Sequence, residues 1–266
     1  MFEMSFWPVF SRAQVRSFHE RGFLVFDPGI KQPDIDAIIK RTCELYEPSE
    51  ISSQGQGGYK HGTRLTDVHY GIAAARRIAT APKVLRGLKQ LFGRTALPFQ
   101  TLNFPTGTEQ MAHSDTIHFN SMPSGYMAGV WVALEDIDED NGPLVYYPGS
   151  HKLPEYRMQD FGLRSSYDDY WLYEQGIERL VQKHDLQPEY GLIKKGQAII
   201  WHANLLHGGA AQRDNSRSRH SQVTHYFFEG CRYYTPMNST PDAPDFRTPE
   251  WIPRQPNRLD RLKAFF

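Results

Sequence analysis

The chain predicts a mainly β protein with flanking α-helices, its strands folded as a jelly roll or barrel. From about Pro98 onward it falls into short runs of β-branched and aromatic residues, FQTLNF, MAGVWVALEDI, PLVYY, AIIWH and VTHYFFEG, separated by Gly, Pro and Asn clusters. Most of these runs have no helical pattern between them, which argues for antiparallel sheets and against βαβ units. The helical patterns come first, so the helices should flank the sheets. No internal repeat and no linker poor in apolar residues divides the chain. One domain is therefore expected over 1–266, with a helical part to about 95, a jelly-roll core over about 96–230 and a Pro-rich arm over 231–266.

Taken in order, Ser11 before RAQVRSFHERG predicts an N-cap and an amphipathic helix carrying Val15, Phe18 and His19 on one side, with Gly22 as C-cap. GFLVF (22–26) reads as a short buried strand. Ile35, Ile38, Ile39, Cys43 and Tyr46 share a stripe, so 32–46 should be a second helix. SSQGQGGYKHG (52–62) reads as a mobile loop, either a linker or a lid. Residues 71–92 divide into two helices at Pro82, which suits a first turn and would break an interior. EDIDEDNG (135–142) lacks the ligand spacing of a calcium loop and reads as an acidic hairpin loop turning at Asn-Gly. The tail 235–257 carries six prolines and should be an extended arm, over the surface or over a pocket.

The 30 Lys and Arg are balanced by 30 Asp and Glu. That removes the charge excess on which non-specific nucleic-acid and anionic-membrane binding rest, and neither partner is expected. No apolar run approaches the roughly 18 residues of a membrane span. The N-terminal stretch lacks the marks of a secretory leader, so a cytoplasmic location is expected. Cys43 and Cys231 lie far apart with no CxxC spacing and read as packing thiols. What invites a search for spacing is the histidine content, 11 in all, because imidazole is the commonest protein metal ligand.

MAHSDTIHF places His113 and Asp115 two residues apart beside strand-forming residues, and alternate residues of a strand share a face. A His-x-Asp pair alone is a weak signal. AIIWHANLLHGGA offers His202 and His207 as a third ligand. Two His and one carboxylate on one face of an octahedral ion leave three positions open, the arrangement of non-haem Fe(II) oxygenases, whereas a closed zinc site wants four protein ligands.

The segments MAHSDTIHFNSMPSGYMAGVWVALEDIDEDNGPLVYYPGSHKLP and GLIKKGQAIIWHANLLHGGA, with the Arg-bearing strand that follows, resemble the phytanoyl-CoA dioxygenase family of Fe(II)/2-oxoglutarate oxygenases, which includes ectoine hydroxylase. The blocks occur in family order as His113/Asp115, Trp131–Asp136, Asn141–Leu144 and Pro148–His151. With the opening helix and GFLVF, the resemblance covers most of 11–228. It implies a double-stranded β-helix (cupin-like jelly roll), Fe(II) held by His113, Asp115 and His207, 2-oxoglutarate as cosubstrate, and O2. The distal ligand of the family stands before Gly and a small residue, which selects His207 in LHGG and leaves His202 packed at a strand end. The odd spacing of the two histidines agrees, because a continuing strand would turn them to opposite faces.

The resemblance also places an Arg for the far carboxylate of 2-oxoglutarate about eleven residues past the distal His. Arg217 and Arg219 flank that position. Arg219 is chosen because it immediately precedes the strand HSQVTHYFF and shares a face with Ser221, whose hydroxyl could bind the same carboxylate. Trp131 matches a family Trp beside the cosubstrate, with a core aromatic as the plainer reading. In FQTLNF, Gln100 is a candidate for the 2-oxoglutarate site and Asn103 for the substrate pocket; their parity lets only one face inward, and Gln100–Thr101 matches the family pattern. Family members often carry a small hydroxyl residue two positions after the distal His. Gly209 stands there in this chain, so that contact must come from elsewhere. His118 turns away from the metal face and suits the substrate pocket, and His151 reads as part of a structural turn. With a carboxylate at 115, hydroxylation of a small-molecule substrate is expected. The rival readings are a cupin-like binding protein or isomerase without oxygen chemistry, opposed by the Arg-bearing strand, and an inactive scaffold, opposed by the intact ligand set. Spacing says nothing of the oligomeric state.

Overall fold

The structure, a computed structural model, describes residues 8–46, 63–240 and 242–254. Helix α1 (Arg12–Arg21) opens on a reciprocal cap: the Ser11 hydroxyl accepts from the Gln14 amide at 3.2 Å, and the Gln14 side chain accepts from the Ser11 amide at 2.9 Å. Gly22 ends it at φ +85°, and a Cβ there would come within 2.4 Å of the His151 ring, so only glycine serves at this position. Strand β1 (Phe23–Phe26) follows, then α2 (Gln32–Cys43), β2 (Leu65–Thr66), α3 (Ala73–Ala79) and α4 (Pro82–Phe92), with Pro82 in the first turn of α4 as expected. The second helix ends three residues sooner than its stripe suggests, and Cys43 is exposed while Tyr46 is buried. Cys43 is thus not a packing thiol; Cys231 is half-buried beside Arg94. The expected loop at 52–62 lies outside the described residues.

The strands that follow are β3 (Ala96–Phe104), β4 (Asn120–Met122), β5 (Met127–Ala133), β6 (Leu144–Tyr146), β7 (Glu189–Tyr190), β8 (Ala198–His202), β9 (His207–Gly209), β10 (Ser221–Phe228), β11 (Arg232–Tyr234) and β12 (Phe246–Arg247). They form a six-stranded antiparallel sheet in the order β1-β8-β5-β10-β3-β2 and two smaller sheets, β7-β6-β9 and β12-β11-β4. This is the jelly roll the strand runs predict. Helices α1–α4 cover one face of the large sheet, packing Phe18, Ile35, Ile78 and Leu88 against Val130, Val132, Ile200 and Phe228. Its other face, with Trp131, Ile199, Trp201 and Val223, packs toward Tyr146 of the smaller sheet. Both faces of β5 are therefore covered, which explains why MAGVWVA is apolar without alternation and buried throughout.

Two elements differ from expectation. Helix α5 (Tyr170–Lys183) stands between β6 and β7, inside the region read as strands. Asn141-Gly142 is not a hairpin turn, because β5 and β6 lie in different sheets and the loop crosses between them. Asn141 is fully buried and staples that crossing: its amide donates to the Asp136 carbonyl at 3.0 Å, and its side-chain oxygen accepts from the Asp138 amide at 3.1 Å. The described part of the Pro-rich arm, 231–240 and 242–254, forms β11 and β12, pairs with β4 and contributes to the wall of the central cavity.

Candidate metal centre

His113 and His207 face each other across an antiparallel bridge in which each backbone amide donates to the other's carbonyl at 2.9 Å. Paired in this way, the two side chains project from one face, and their rings lie 4.6 Å apart. Each Nδ1 is tied to a carbonyl two residues back, Met111 at 3.0 Å and Leu205 at 2.9 Å, which fixes ring orientation and leaves Nε2 for a metal. The expectation that Asp115 shares a strand face with His113 is corrected. The Ser114 hydroxyl accepts from the Thr116 amide at 3.2 Å and starts a short 3-10 turn at Asp115, so the chain bends the carboxylate in toward the bridge. Donor atoms of His113, Asp115 and His207 all lie within 4.8 Å of one another, and all three residues are buried.

Asp115 is held as firmly as the histidines. Trp201 Nε1 donates to its Oδ2 at 2.8 Å, and His225 Nε2 lies 3.9 Å from the same oxygen, while Oδ1 faces His207 Nε2 at 3.8 Å. Burial alone would raise the Asp115 carboxyl. The imidazoles of His207, His225 and His113 and the indole N–H outweigh it and hold the group below its usual range, as an anion. Burial, reinforced by His207, pushes His113 well down, so its imidazole is neutral at neutral pH. A neutral imidazole and an ionised carboxylate are the forms a cation binds.

The triad opens onto a cavity of about 450 Å³, within the range of small-molecule sites. Gln100, His118, Trp131 and Arg219 line it, as the sequence suggests. The Gln100 side-chain oxygen also accepts from His225 Nδ1 at 2.9 Å. Asn103 is excluded from the wall, because Gln100, Leu102 and Phe104 take the inner face of β3 and Asn103 points outward to Gln222 at 3.4 Å. Ser221 sits behind the wall, its hydroxyl accepting from Arg219 Nη1 at 2.7 Å. Arg219 is 4% exposed, lies 5.5 Å from the Trp131 ring and has no partner for Nε among the described residues. Burial lowers it to about 10, opposed by Glu135, so it keeps its charge at neutral pH. Arg217 is instead engaged outside, its Nη1 donating to both carboxylate oxygens of Asp138 at 2.8 and 2.9 Å.

His202 is remote from the triad. The chain turns after β8, so strand parity does not relate it to His207, and it packs between Phe92 and His151. His151 in turn bonds the His19 carbonyl at 3.2 Å, a structural role. At Gly209 a Cβ would come 2.5 Å from Thr108 Oγ1, so the hydroxyl that a side chain at 209 does not offer reaches the cavity wall from the facing loop.

The profile of the family described as Phytanoyl-CoA dioxygenase (PhyH) matches residues 18–221. The chain belongs to the phytanoyl-CoA dioxygenase family. Peroxisomal phytanoyl-CoA dioxygenase of Rattus norvegicus is 28% identical over 260 residues, spanning 85% of this chain and 70% of that protein. Among solved structures, EctD from S. alaskensis in its apoform superposes with a TM-score of 0.65 at 20% identity, covering 94% of this chain and 89% of that one. The epimerase SnoN, in complex with Fe3+, alpha ketoglutarate and nogalamycin RO, gives a TM-score of 0.63 at 16% identity, covering 91% and 98%. Both share the fold. Among the described residues of this family member, no helix is long and apolar enough to cross a membrane.

Sequence reading misses Trp201 and His225, the two groups on Asp115 Oδ2. Parity carries the signal for His225, since 219, 221, 223 and 225 alternate onto one face of the strand. Trp201 shares the inner face of β8 with Ile199 on the same rule.

Proposed function

We propose that the protein is a non-haem Fe(II)- and 2-oxoglutarate-dependent dioxygenase that hydroxylates an unactivated C–H bond of a small-molecule metabolite or natural-product intermediate. The observation that carries this reading is the joint one: a buried two-His, one-carboxylate set and a buried, incompletely bonded arginine on the wall of one cavity. The donor set fits the ion, because it offers two imidazole nitrogens and one carboxylate oxygen and leaves coordination positions open. Together, bound Fe(II) and 2-oxoglutarate would supply the oxidising chemistry, in which O2 is consumed, 2-oxoglutarate becomes succinate and CO2, and one oxygen atom goes to the substrate.

The chain's own residues hold and exclude. His113, Asp115 and His207 would hold the metal. Trp201 keeps one oxygen of Asp115 engaged so that the other is presented singly. Arg219, anchored by Ser221 and backed by Trp131, would hold the far carboxylate of the cosubstrate, with a planar donor set suited to it. Phe104, Trp131 and Val223 make that part of the wall apolar and keep water from the guanidinium. SnoN, which has this fold, was crystallised with iron and alpha ketoglutarate, and that supports the cofactor pair here.

The test is succinate formation from 2-oxoglutarate by the purified protein with Fe(II), ascorbate and O2. Turnover is expected and should vanish in His113→Ala and His207→Ala; full activity in either variant would overturn the reading. Arg219→Lys should raise the 2-oxoglutarate KM by about tenfold while leaving iron binding intact, because a point charge cannot reproduce the bidentate contact.

A further inference from the structure

The cavity wall carries two cations that the dioxygenase reading does not use. Arg247, on β12 of the C-terminal arm, reaches the wall with its guanidinium 5.1 Å from the Phe119 ring and 5.5 Å from Phe99. Arg64 lines the same cavity from the opposite end of the chain. Neither makes a salt bridge among the described residues. Asp245 and Tyr167 favour the charged form of Arg247 from a distance, against a larger effect of burial. The only carboxylate on the described wall is Asp115.

Charge balance makes these arginines informative. A divalent metal, the Asp115 carboxylate, doubly charged 2-oxoglutarate and Arg219 sum to zero. Among the described residues, Arg64 and Arg247 then leave the remaining cavity with two positive charges that no further wall carboxylate balances, Arg247 being half-buried. A half-buried guanidinium without an anion exchanges solvation for ring contacts and distant charges alone, whereas an anionic ligand gives it charge-assisted, bidentate bonds.

Resting on that dioxygenase reading, we propose that the substrate is an anion, a carboxylate or phosphate ester, whose charged group is held at the cavity mouth by Arg247 with Arg64 beside it. Arg247 is then the residue that selects the substrate. The C-terminal arm becomes a working part of the site, since it also contributes Thr235 and Asn238 to the same wall.

The probes are phenyl phosphate and benzoate, with benzamide as the neutral counterpart, titrated anaerobically into protein loaded with Fe(II) and 2-oxoglutarate. At least one anion is expected to saturate a single site about tenfold more tightly than benzamide, and the stronger of the two tells phosphate from carboxylate. Arg247→Gln should remove that preference and Arg247→Lys should retain part of it. Affinity for 2-oxoglutarate, read by the same titration, should not change in either. Equal binding of benzamide and both anions, or an unchanged preference in Arg247→Gln, overturns the proposal. Loss of 2-oxoglutarate binding in a folded Arg247→Gln also overturns it, by making Arg247 the cosubstrate's partner. If Arg247→Gln does not fold, Arg64→Gln carries the test, with a weakened anion preference expected and an unchanged one counting against the proposal. Absence of 2-oxoglutarate turnover in the unmodified protein would instead sink the dioxygenase reading and leave the anion preference to be judged by the titration alone.

Discussion

Asp115 presents one oxygen to the histidines because its other oxygen is already bonded to Trp201 Nε1 at 2.8 Å. A donor to a ligating carboxylate fixes its orientation, and removing such a partner typically costs about 10–100-fold in metal affinity. Trp201→Phe keeps most of the ring and deletes only the N–H, so we expect a loss of that size, read by titrating the metal against a competing chelator. Unchanged affinity would mean that His225 alone orients the carboxylate. The same residues show how far local reasoning reaches. Two-residue spacing brings His113 and Asp115 together in the sequence reading through a strand, while in the molecule the Ser114 cap bends the chain into a 3-10 turn. The pairing is legible because two residues so close cannot diverge far. The turn is not, because it depends on one hydroxyl competing for a backbone amide.

Strands β5 and β8 meet with Gly129 directly opposite Trp201, and this pairing makes room for the indole. A Cβ at 129 would lie 2.3 Å from the Trp201 ring and 2.6 Å from its Nε1. Glycine ordinarily weakens a strand, so its place in the middle of one buried throughout points to close approach of another group. Gly129→Ala should therefore cost about 1–3 kcal/mol by overpacking and should also weaken metal binding, since the atom displaced is the donor to Asp115. A thermal melt and a metal titration on the same sample check both. A drop in stability with intact metal affinity would show that the indole shifts without leaving the carboxylate. Element by element, the helices were legible where they carry start and stop signals, as α1 does with Ser11, Gln14 and Gly22. Helix α5 escaped because its ends carry no capping side chain, no first-turn proline and no C-cap glycine. Its buried stripe of Tyr173, Gly176, Ile177, Leu180 and Val181 nevertheless has helical spacing and was available to periodicity.

At the scale of the molecule, strand runs predict the jelly roll, but which strands share a sheet depends on long-range closure that no local pattern specifies. Asn141-Gly142 illustrates this: a dipeptide that suits a hairpin instead carries the chain from one sheet to the other, and the buried Asn141 amide serves the crossing. Likewise Arg64 and Arg247 line one cavity only because the arm folds back to it. The same closure buries histidines that are not metal ligands, and this sets how the fold answers to acid. Burial, with His151 and His19 nearby, pushes His202 down to about 4, and burial pushes His118 down to about 4. In the unfolded chain both would titrate near 6.5. Between these values the unfolded state binds protons that the folded state refuses, so stability is full above about pH 6.5 and falls as pH drops toward 4. Each such histidine contributes up to about 1.4 kcal/mol per pH unit across that window. Urea midpoints of the metal-free protein should therefore be flat above neutrality and decline below it. His202→Gln removes one of these protons without touching the cavity, so its stability should decline less steeply with acid whatever its absolute value. A slope equal to that of the unmodified protein would show that His202 is already protonated in the folded state.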